Sequence, residues 1–370
     1  MTDEAPQRKK PRQSTIASWV GITKKTPPRP EDGYLLVDLF CSVGGVSCAA
    51  VELGHKVVLA VDFDPKRLEV HKLNHPNAKH VCMALGSDAE EEIVQMIADV
   101  VPPEERHRLW MHLSPPCQSQ SPAQRMGKNK KNNSKQSTKD EIQQEILEGK
   151  SIGLSLVEWS LQLVQRLQPA QFSIEEVDDT QKKVVELMQT YKRKNPKLFD
   201  FQVFDMVEYG VPQERERAIV ARPETIYQLR HHPELKVSKP VGLSDVMPIP
   251  ADAKYFQGTI SHKVDPNNVY PQRQPFSKAF DTIQGKFTDG FVDLRFPNLP
   301  SKTIGGVALS WINEKCERIR IFSPDEMRRI ATFPESFLWP DKTGITMKLR
   351  GYGNAVPPLF AQKIFLAANL

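Results

Sequence analysis

Short apolar runs alternate with amphipathic segments along much of this chain, a pattern typical of an α/β fold. The runs of strand length are residues 34–40, 56–61, 109–113, 171–174 and 199–204. Segments with helical spacing lie between them, at about 46–53, 65–73, 90–100 and 151–167. Because strands that alternate with helices form mostly parallel sheets, the pattern predicts an open α/β sheet.

The pattern changes toward the C-terminus. Residues 223–300 are rich in Pro, His and Gln and show few periodic segments, so they predict an irregular separate lobe. Ser323 to Glu326 reads as a capping box with Pro at the first helical position, and it predicts a helix to about residue 331. Residues 359–369 predict a terminal apolar helix.

Composition places the chain among globular proteins. Of 370 residues, 39% are hydrophobic and 26% charged, and we expect neither a membrane span nor a signal peptide. The cysteines are odd in number and lack zinc-site spacing, which indicates a reducing compartment and no metal site. They are Cys41, Cys48, Cys82, Cys117 and Cys316.

The formal net charge of +5 resides in residues 1–30, which hold seven Lys or Arg and two acids. Residues 1–33 contain few apolar side chains and predict a disordered basic arm. Its segment 8–12 is either a nuclear import signal or a solvated basic tail. The next segment, QSTIASWV, resembles the peptide that docks on the sliding-clamp processivity factor through positions matching Gln13, Ile16 and Trp19, although such matches also arise by chance.

The first predicted strand runs into a turn that contains Gly44 and Gly45. A strand, a Gly turn and a helix in succession present backbone N–H groups to a cofactor, although the same residues could form an ordinary tight turn. Asp62 follows the second strand, where an acid can accept hydrogen bonds from ribose hydroxyls, and Phe63 beside it can stack on a flat base. Together these features favour a nucleoside-bearing cofactor.

Cys117 follows the strand 109–113 after two prolines, at an edge where open α/β sheets bind ligands. A thiol on this stiff backbone is a candidate nucleophile, while the simpler alternative is a small core residue. The basic loop 119–150 after it could hold phosphates or could be a solvated loop.

Two further groups of charged residues accompany predicted strands. Glu175 and Glu176 directly follow the predicted strand 171–174. One of them is expected to face a cleft as an acid or hydrogen-bond donor. Arg215 and Arg217 alternate, which predicts that both lie on one face of a strand or hairpin. An exposed, salt-bridged strand would give the same pattern.

Taken in order, DLFCSVGG, VDFD, SPPCQ, IEEV, QERER and GNAVPP resemble the cytosine-5 DNA methyltransferase family across residues 34–370. The resemblance implies the Rossmann-like α/β sheet of S-adenosylmethionine-dependent methyltransferases and a small, irregular target-recognition lobe. We place the catalytic domain at 34–222, completed by 341–370, and the lobe at 223–340. The final helix is expected to return beside the first strand.

The resemblance also implies a mechanism. The thiolate of Cys117 adds to cytosine carbon 6, which makes carbon 5 nucleophilic toward the methyl group of S-adenosylmethionine. Glu175 holds ring nitrogen 3, while Arg217 and Arg215 hold the cytosine oxygen and orient the acid. The base is flipped out of double-stranded DNA to reach the thiol, and no metal is required. We expect a monomer in the nucleus or otherwise in the cytoplasm. Cofactor-side positions are Phe40, Ser42, Gly44, Gly45, Asp62, Phe63, Asp88, Pro116, Asn354 and Val356.

Three positions depart from the family pattern. Glu176 replaces the Asn of Glu-Asn-Val, Ser42 replaces a Gly of the first motif, and the third motif is poorly formed around Asp88. The first alternative function is therefore a methyltransferase fold that binds DNA without reacting. The second is a transfer-RNA methyltransferase of the same fold, although the Cys-Phe-Thr signature of that branch does not occur in this sequence.

The basic arm generates the first testable prediction. Deleting residues 1–30 removes the formal net charge but none of the matched motifs, so methyl transfer to short duplexes should persist. If the clamp-like peptide is functional, the truncated protein should lose binding to the sliding clamp in a pull-down, and so should full-length Ile16→Ala/Trp19→Ala. Equal capture of wild type and the truncated protein would eliminate the clamp hypothesis.

Overall fold

The structure is a computed structural model of the 370-residue chain. It describes residues 31–116, 152–177, 183–257, 269–270, 294–304, 309–315 and 318–370. The clamp-like residues Gln13, Ile16 and Trp19 lie outside these ranges, as does Cys117.

The elements follow the predicted alternation of strands and helices. The helices are α1 (Gly45–Glu52), α2 (Pro65–Asn74), α3 (Glu90–Val100), α4 (Ile152–Leu167), α5 (Lys183–Lys194), α6 (Pro223–His231), α7 (Leu243–Val246), α8 (Pro324–Ile330), α9 (Ile345–Asn354) and α10 (Pro358–Ala367). The strands are β1 (Leu35–Leu39), β2 (Lys56–Asp62), β3 (Lys79–Cys82), β4 (Leu109–Leu113), β5 (Gln171–Val177), β6 (Asp200–Asp205), β7 (Gln213–Glu214), β8 (Glu216–Ala221), β9 (Tyr255–Gln257), β10 (Val269–Tyr270), β11 (Leu294–Arg295), β12 (Ser301–Lys302), β13 (Ser310–Ile312) and β14 (Arg318–Ile321).

The main sheet has seven strands in the order β3-β2-β1-β4-β5-β8-β6. Strands β1 to β5 are parallel, whereas β8 runs antiparallel to both β5 and β6. The chain order reverses between β1 and β4, and open sheets bind ligands outside the carboxyl ends of the strands at such a point. The predicted α/β class is confirmed, and the sheet places the turn after β1 and the segment after β4 side by side.

Alternating residues of the central strands supply two cores, one on each face of the sheet. Leu35, Val37 and Leu39 pack into the core formed with α3, α4 and α5, whereas Leu36 packs into the core formed with α1, α6 and α10. The two faces are covered by different helices, as expected for a sheet whose strands are buried on both sides. This alternation decides which strand residues reach the site.

A third core joins the C-terminal half to the main sheet. A five-stranded sheet, in the order β10-β11-β9-β13-β14, contributes Phe256 and Trp311 to this core. Val43, which lies in the turn after β1, and Val70 of α2 pack into the same cluster. Helix α6, within the predicted lobe, instead contributes Leu229 to the core of α1 and α10. The exact boundary between the two predicted domains stays a prediction.

The terminal helix α10 packs against α1, as predicted for a helix that returns to the start of the sheet. The Tyr34 hydroxyl donates a hydrogen bond of 2.8 Å to Asn369 Oδ1, which fastens the end of the chain beside β1. Between the two helices, the Gln362 amide donates to Glu52 Oε2. None of the helices in the described ranges is long and apolar enough to cross a membrane.

The contact between α1 and α10 makes stability depend on pH. Burial raises the pKa of Glu52 from 4.5 to about 7, although the hydrogen bond from Gln362 opposes this shift. At pH values between 4.5 and about 7, Glu52 keeps its proton in the folded state and loses it in the unfolded chain. The free energy of unfolding therefore falls as pH rises through this window, and it levels off above the folded-state pKa.

We predict that Glu52→Gln removes this pH-dependent loss of stability, because the amide oxygen of the new glutamine still accepts from Gln362 but the side chain carries no charge. At pH 8 the variant should exceed wild type by about 1–2 kcal/mol in the free energy of unfolding, after allowance for solvent screening. Near pH 4.5 the two proteins should be equally stable. Urea unfolding across this pH range measures the difference, with the exposed Glu69→Gln as control. A difference that is constant with pH would contradict this assignment.

Candidate active site

The strand register brings the predicted catalytic segments to one edge of the sheet. Leu113, the last residue of β4, pairs with Ile174 of β5, so Ser114 continues alongside Glu175. The Ser114 amide donates to the Leu39 carbonyl at 3.3 Å, and its hydroxyl donates to the Phe40 carbonyl at 3.2 Å. The exit of β4 is therefore fixed to the exit of β1, between the predicted cofactor turn and the predicted acid.

Glu175 and the two arginines meet on one face of the sheet. Glu175 pairs with Ile219, whose side chain lies in the core of α1 and α10, and Arg217 lies two residues before Ile219 on the same face. Arg217 Nε is 3.0 Å from Glu175 Oε1, and Arg215 Nη2 is 3.9 Å from the same oxygen. The predicted convergence of these side chains is present.

Glu175 Oε1 retains an unfilled acceptor position. Although Arg217 lies within ion-pair distance, no donor in the described ranges makes a hydrogen bond of normal geometry to this buried oxygen. The side chain of Glu175 is only about 10% exposed. The two arginines compensate the charge of this oxygen, and its free acceptor position can bind a donor group that enters the site.

Arg215 connects this acid to the C-terminal motif. Its Nη1 donates a hydrogen bond of 2.9 Å to the carbonyl oxygen of Gly353, immediately before Asn354. Further along that turn, the Val356 carbonyl lies against Gly45, where an added Cβ would come within 2.2 Å of the oxygen. Gly45 therefore permits close approach of the two backbones, and the motif contacts both the arginine and the turn after β1.

The turn after β1 contains three residues in left-handed backbone conformation. Phe40 has φ +60°, Ser42 has φ +50° and Gly44 has φ +92°. Such conformations cost side-chain-bearing residues energy and cluster at functional sites. The Ser42 amide donates to Asp62 Oδ2 at 2.9 Å, so the second strand holds this turn in place. Ser thus occupies a conformation that Gly adopts more readily, which accounts for Gly at this position in the family pattern.

The polar groups of this turn fit a nucleoside-bearing cofactor. The Ser42 hydroxyl is buried and has no hydrogen-bond partner in the part of the chain that the structure describes. Gly44 caps α1 without a side chain, which leaves the start of the helix open to a ligand. Asp62 accepts backbone N–H bonds from Ser42 and Asp64, one on each oxygen, and its remaining lone pairs can accept from ribose hydroxyls.

The other predicted cofactor residues differ in how exposed they are. Phe63 is 55% exposed at the end of β2, so its ring offers a free face for stacking. Asp88 is exposed in a short 3-10 helix, and Asn354 is exposed at the end of α9. Pro116 is half-buried and is the last described residue before Cys117. Their roles stay predictions.

A buried polar network, which the sequence analysis missed, connects β1, α1, α2 and β3 next to this turn. Ser47 of α1 donates to Asp38 Oδ2 at 2.7 Å, His71 Nε2 lies 3.0 Å from the Ser47 hydroxyl, and His71 Nδ1 lies 2.9 Å from His80 Nε2. Burial lowers the pKa of His71 to about 3, so its ring is neutral near pH 7. A neutral His71 with its proton on Nε2 satisfies both contacts. The one available signal was Asp38, an acid within an apolar strand.

Glu176 points to the opposite face from Glu175. It pairs with Ala218, whose side chain packs into the core formed with α3, α4 and α5. Its Oε2 accepts a hydrogen bond of 2.6 Å from the backbone N–H of Val177, and the residue is 2% exposed. The second acid therefore accepts a hydrogen bond at the end of β5 and does not share the pocket of Glu175.

Comparisons with known proteins agree with this architecture. The sequence model of the C-5 cytosine-specific DNA methylase family matches residues 34–369. Among curated proteins, the Type II methyltransferase M.XorII of Xanthomonas oryzae pv. oryzae is 27% identical over 206 residues. That alignment covers 54% of this chain and 42% of the relative, so the match spans less than half of the relative's length.

Solved structures share the fold at low sequence identity. A protein named as a DNA modification methyltransferase encoded within an E. coli prophage aligns with a TM-score of 0.56 and 19% identity, covering 90% of this chain and 98% of its own. The Entamoeba histolytica methyltransferase EhMeth aligns with a TM-score of 0.55 and 16% identity, covering 91% of this chain and 98% of its own. A DNMT2 mutant from Spodoptera frugiperda aligns with a TM-score of 0.52 and 16% identity, covering 91% of this chain and 99% of its own. With the family model matched across nearly all of the chain after the first 33 residues, this protein belongs to the C-5 cytosine-specific DNA methylase family.

Proposed function

We propose that this protein is a DNA (cytosine-5-)-methyltransferase that methylates a cytosine flipped out of double-stranded DNA. The observation that carries the proposal is the buried Glu175 oxygen, which has an unfilled acceptor position and lies beside Arg217 and Arg215. This arrangement is complementary to the edge of a cytosine ring. The arginines can donate to its oxygen, the unfilled Glu175 oxygen can accept from its exocyclic amino group, and the carboxyl group, when protonated, can donate to ring nitrogen 3.

In the proposed reaction the thiolate of Cys117 adds to carbon 6 of the cytosine, and carbon 5 becomes nucleophilic. S-adenosylmethionine supplies the methyl group as an electrophile. A proton on Glu175 is shared with nitrogen 3 and neutralises the negative charge that thiolate addition places on the ring. A base then takes the carbon 5 proton, the electron pair of that C–H bond expels the thiolate, and the nitrogen 3 proton returns to Glu175, which restores the aromatic ring.

The residues around the turn after β1 are proposed to hold the cofactor. Asp62 would accept from the ribose hydroxyls, Phe63 would stack on the adenine, and the open start of α1 would face the polar end of the molecule. The unpartnered Ser42 hydroxyl and the left-handed backbone of the turn from Phe40 to Gly44 support this placement. Phe40, Asp88, Pro116, Asn354 and Val356 complete the proposed cofactor side.

DNA is proposed as the substrate in preference to transfer RNA because the sequence lacks the Cys-Phe-Thr signature of that branch. The clamp-like peptide in the N-terminal arm, if functional, would also bring the enzyme to replicating DNA. A nuclear location and a monomeric state follow as further proposals. A DNA-binding protein that does not react is the competing function, and retention of Cys117, Glu175, Arg215 and Arg217 in the sequence argues against it.

The proposed nucleophile generates the next prediction. Cys117→Ala should lower methyl transfer at least about a thousandfold while duplex binding is retained, because carbon 5 is no longer activated. The exposed thiol variant Cys82→Ser, which keeps a donor to the Phe63 carbonyl, should keep wild-type activity and serves as the matched control. Transfer of tritiated methyl groups to duplex DNA and to transfer RNA, followed by bisulfite sequencing, measures both activity and substrate choice.

Two outcomes would contradict the proposal in different ways. Undiminished transfer by Cys117→Ala would exclude the covalent mechanism. Methyl transfer by the wild-type protein to transfer RNA but not to DNA would support the proposed mechanism and contradict DNA as the substrate. Duplex binding without methyl transfer to either nucleic acid would favour the non-reacting alternative.

The adjacent acids provide a further prediction, since they point to opposite faces of β5. Glu175→Gln should lower kcat at least about a hundredfold, because the amide has no acidic proton to share with ring nitrogen 3. Glu176→Asn, which restores the family pattern, should retain or improve activity. Single-turnover methyl transfer under saturating cofactor measures both variants. An inactive Glu176→Asn beside an active Glu175→Gln would show that the acid has been assigned to the wrong residue.

A further inference from the structure

The strand β7 lies immediately before the catalytic arginines and is held by a distant part of the chain. Residues 294–304, here termed the lobe segment, contain β12, which pairs in parallel with β7. At one end the Ser301 amide donates to the Pro212 carbonyl at 3.0 Å, and at the other the Ile304 amide donates to Gln213 Oε1 at 2.9 Å. The predicted recognition lobe thus contacts the first residues of QERER directly.

Glu214 is the second residue of this motif and makes the strongest contact with the lobe segment. Its two carboxylate oxygens accept from the two terminal nitrogens of Arg295, at 2.9 and 3.0 Å. The side chains are 20% and 6% exposed, respectively, so this bidentate pair is largely removed from water. Arg295 Nη1 also donates to the Pro300 carbonyl at 3.2 Å, which fixes the guanidinium within its own loop.

The Glu214 side of this contact is connected to the proposed chemistry. Arg215 directly follows Glu214, and its guanidinium lies between Glu175 and the Gly353 carbonyl. Arg217 is two residues further, at 3.0 Å from Glu175. A shift of β7 along the lobe segment would therefore displace both arginines relative to the acid, and displacements of about 1 Å can cost about a hundredfold in rate.

The chemistry of the pair favours a defined geometry. The planar fork of an arginine fits a carboxylate in one bidentate arrangement, whereas a lysine would supply a charge without this fork. Because removal of either partner leaves a charge buried without its counter-ion, the two side chains depend on each other. An ion pair of this kind fixes the position of the lobe segment on the strand.

We infer that Glu214 and Arg295 are positioning residues for methyl transfer, and that their buried ion pair aligns the lobe segment with β7 and thereby with Arg215 and Arg217, which follow β7. The inference rests on the proposed function for its kinetic consequence, but the coupling between lobe segment and strand is a property of the protein itself. Neither residue touches the proposed cytosine, and both act through the arginines that do.

The kinetic test compares full-length wild type with Glu214→Gln, Arg295→Gln, Arg295→Lys and the exchanged pair Glu214→Arg/Arg295→Glu. We expect kcat per folded molecule to fall about ten- to a hundredfold in the two Gln variants, with KM for S-adenosylmethionine changed less than about twofold. Arg295→Lys should be intermediate. The exchanged pair should recover a substantial part of the loss, because the two effects are coupled.

The control is Glu208→Gln, which removes a more exposed ion pair with Lys236, at 2.8 Å, outside the lobe segment. It should leave kcat unchanged. Circular dichroism gives the folded fraction of each variant, so a loss of stability alone can be separated from misalignment. If both Gln variants keep wild-type kcat per folded molecule, the inference is wrong.

Hydrogen exchange provides a test that does not require activity. In Glu214→Gln and Arg295→Gln the amides of residues 213–217 should exchange faster than in wild type, while those of β1 should not change. If wild type transfers no methyl group to DNA or transfer RNA, the proposed function fails, and the exchange result alone decides the coupling. Unchanged exchange at residues 213–217 in both variants would overturn the inference even in an active enzyme.

Discussion

The buried charge of Arg215 is the constraint on which the arrangement of the site depends. Its side chain is 3% exposed, and its guanidinium lies near Glu175 on one side and donates to the Gly353 carbonyl on the other. A guanidinium in such a position must be matched by acceptors, because an unmatched buried charge would be strongly destabilising. The requirement joins the acid of β5 to the C-terminal motif, and it therefore joins the proposed cytosine side to the proposed cofactor side.

The turn after β1 shows a second constraint, which is conformational. Its left-handed residues are held by the Ser42–Asp62 hydrogen bond and by the close approach of Val356 to Gly45. The buried Asp38–Ser47–His71 network fixes the helix that follows. Three chain segments distant in sequence thus determine one turn, so a strained backbone persists where a cofactor would require it.

The sequence was sufficient for features that local patterns determine. The alternation in QERER predicted that Arg215 and Arg217 point the same way, and both approach Glu175 Oε1, at 3.9 and 3.0 Å, although Arg215 lies between β7 and β8. Strand length with apolar content predicted the central strands. The Glu214–Arg295 pair joins residues 81 positions apart, and no local periodicity indicates such a pairing. For the same reason residues 223–300 read as irregular, since β9 and β11 are short strands whose partners are distant along the chain. The role of Asp38 depended on histidines from another helix and strand.

A covalent-trapping experiment tests the central claim most directly. A duplex that contains 5-fluorocytosine at a methylated site cannot lose its carbon 5 substituent as a proton, so the adduct with the enzyme should persist after methyl transfer. We predict a denaturant-resistant complex that forms only with S-adenosylmethionine and whose cross-linked peptide contains Cys117. Absence of such a complex on a duplex that the enzyme methylates in its unfluorinated form, or a cross-link at another residue, would contradict the account.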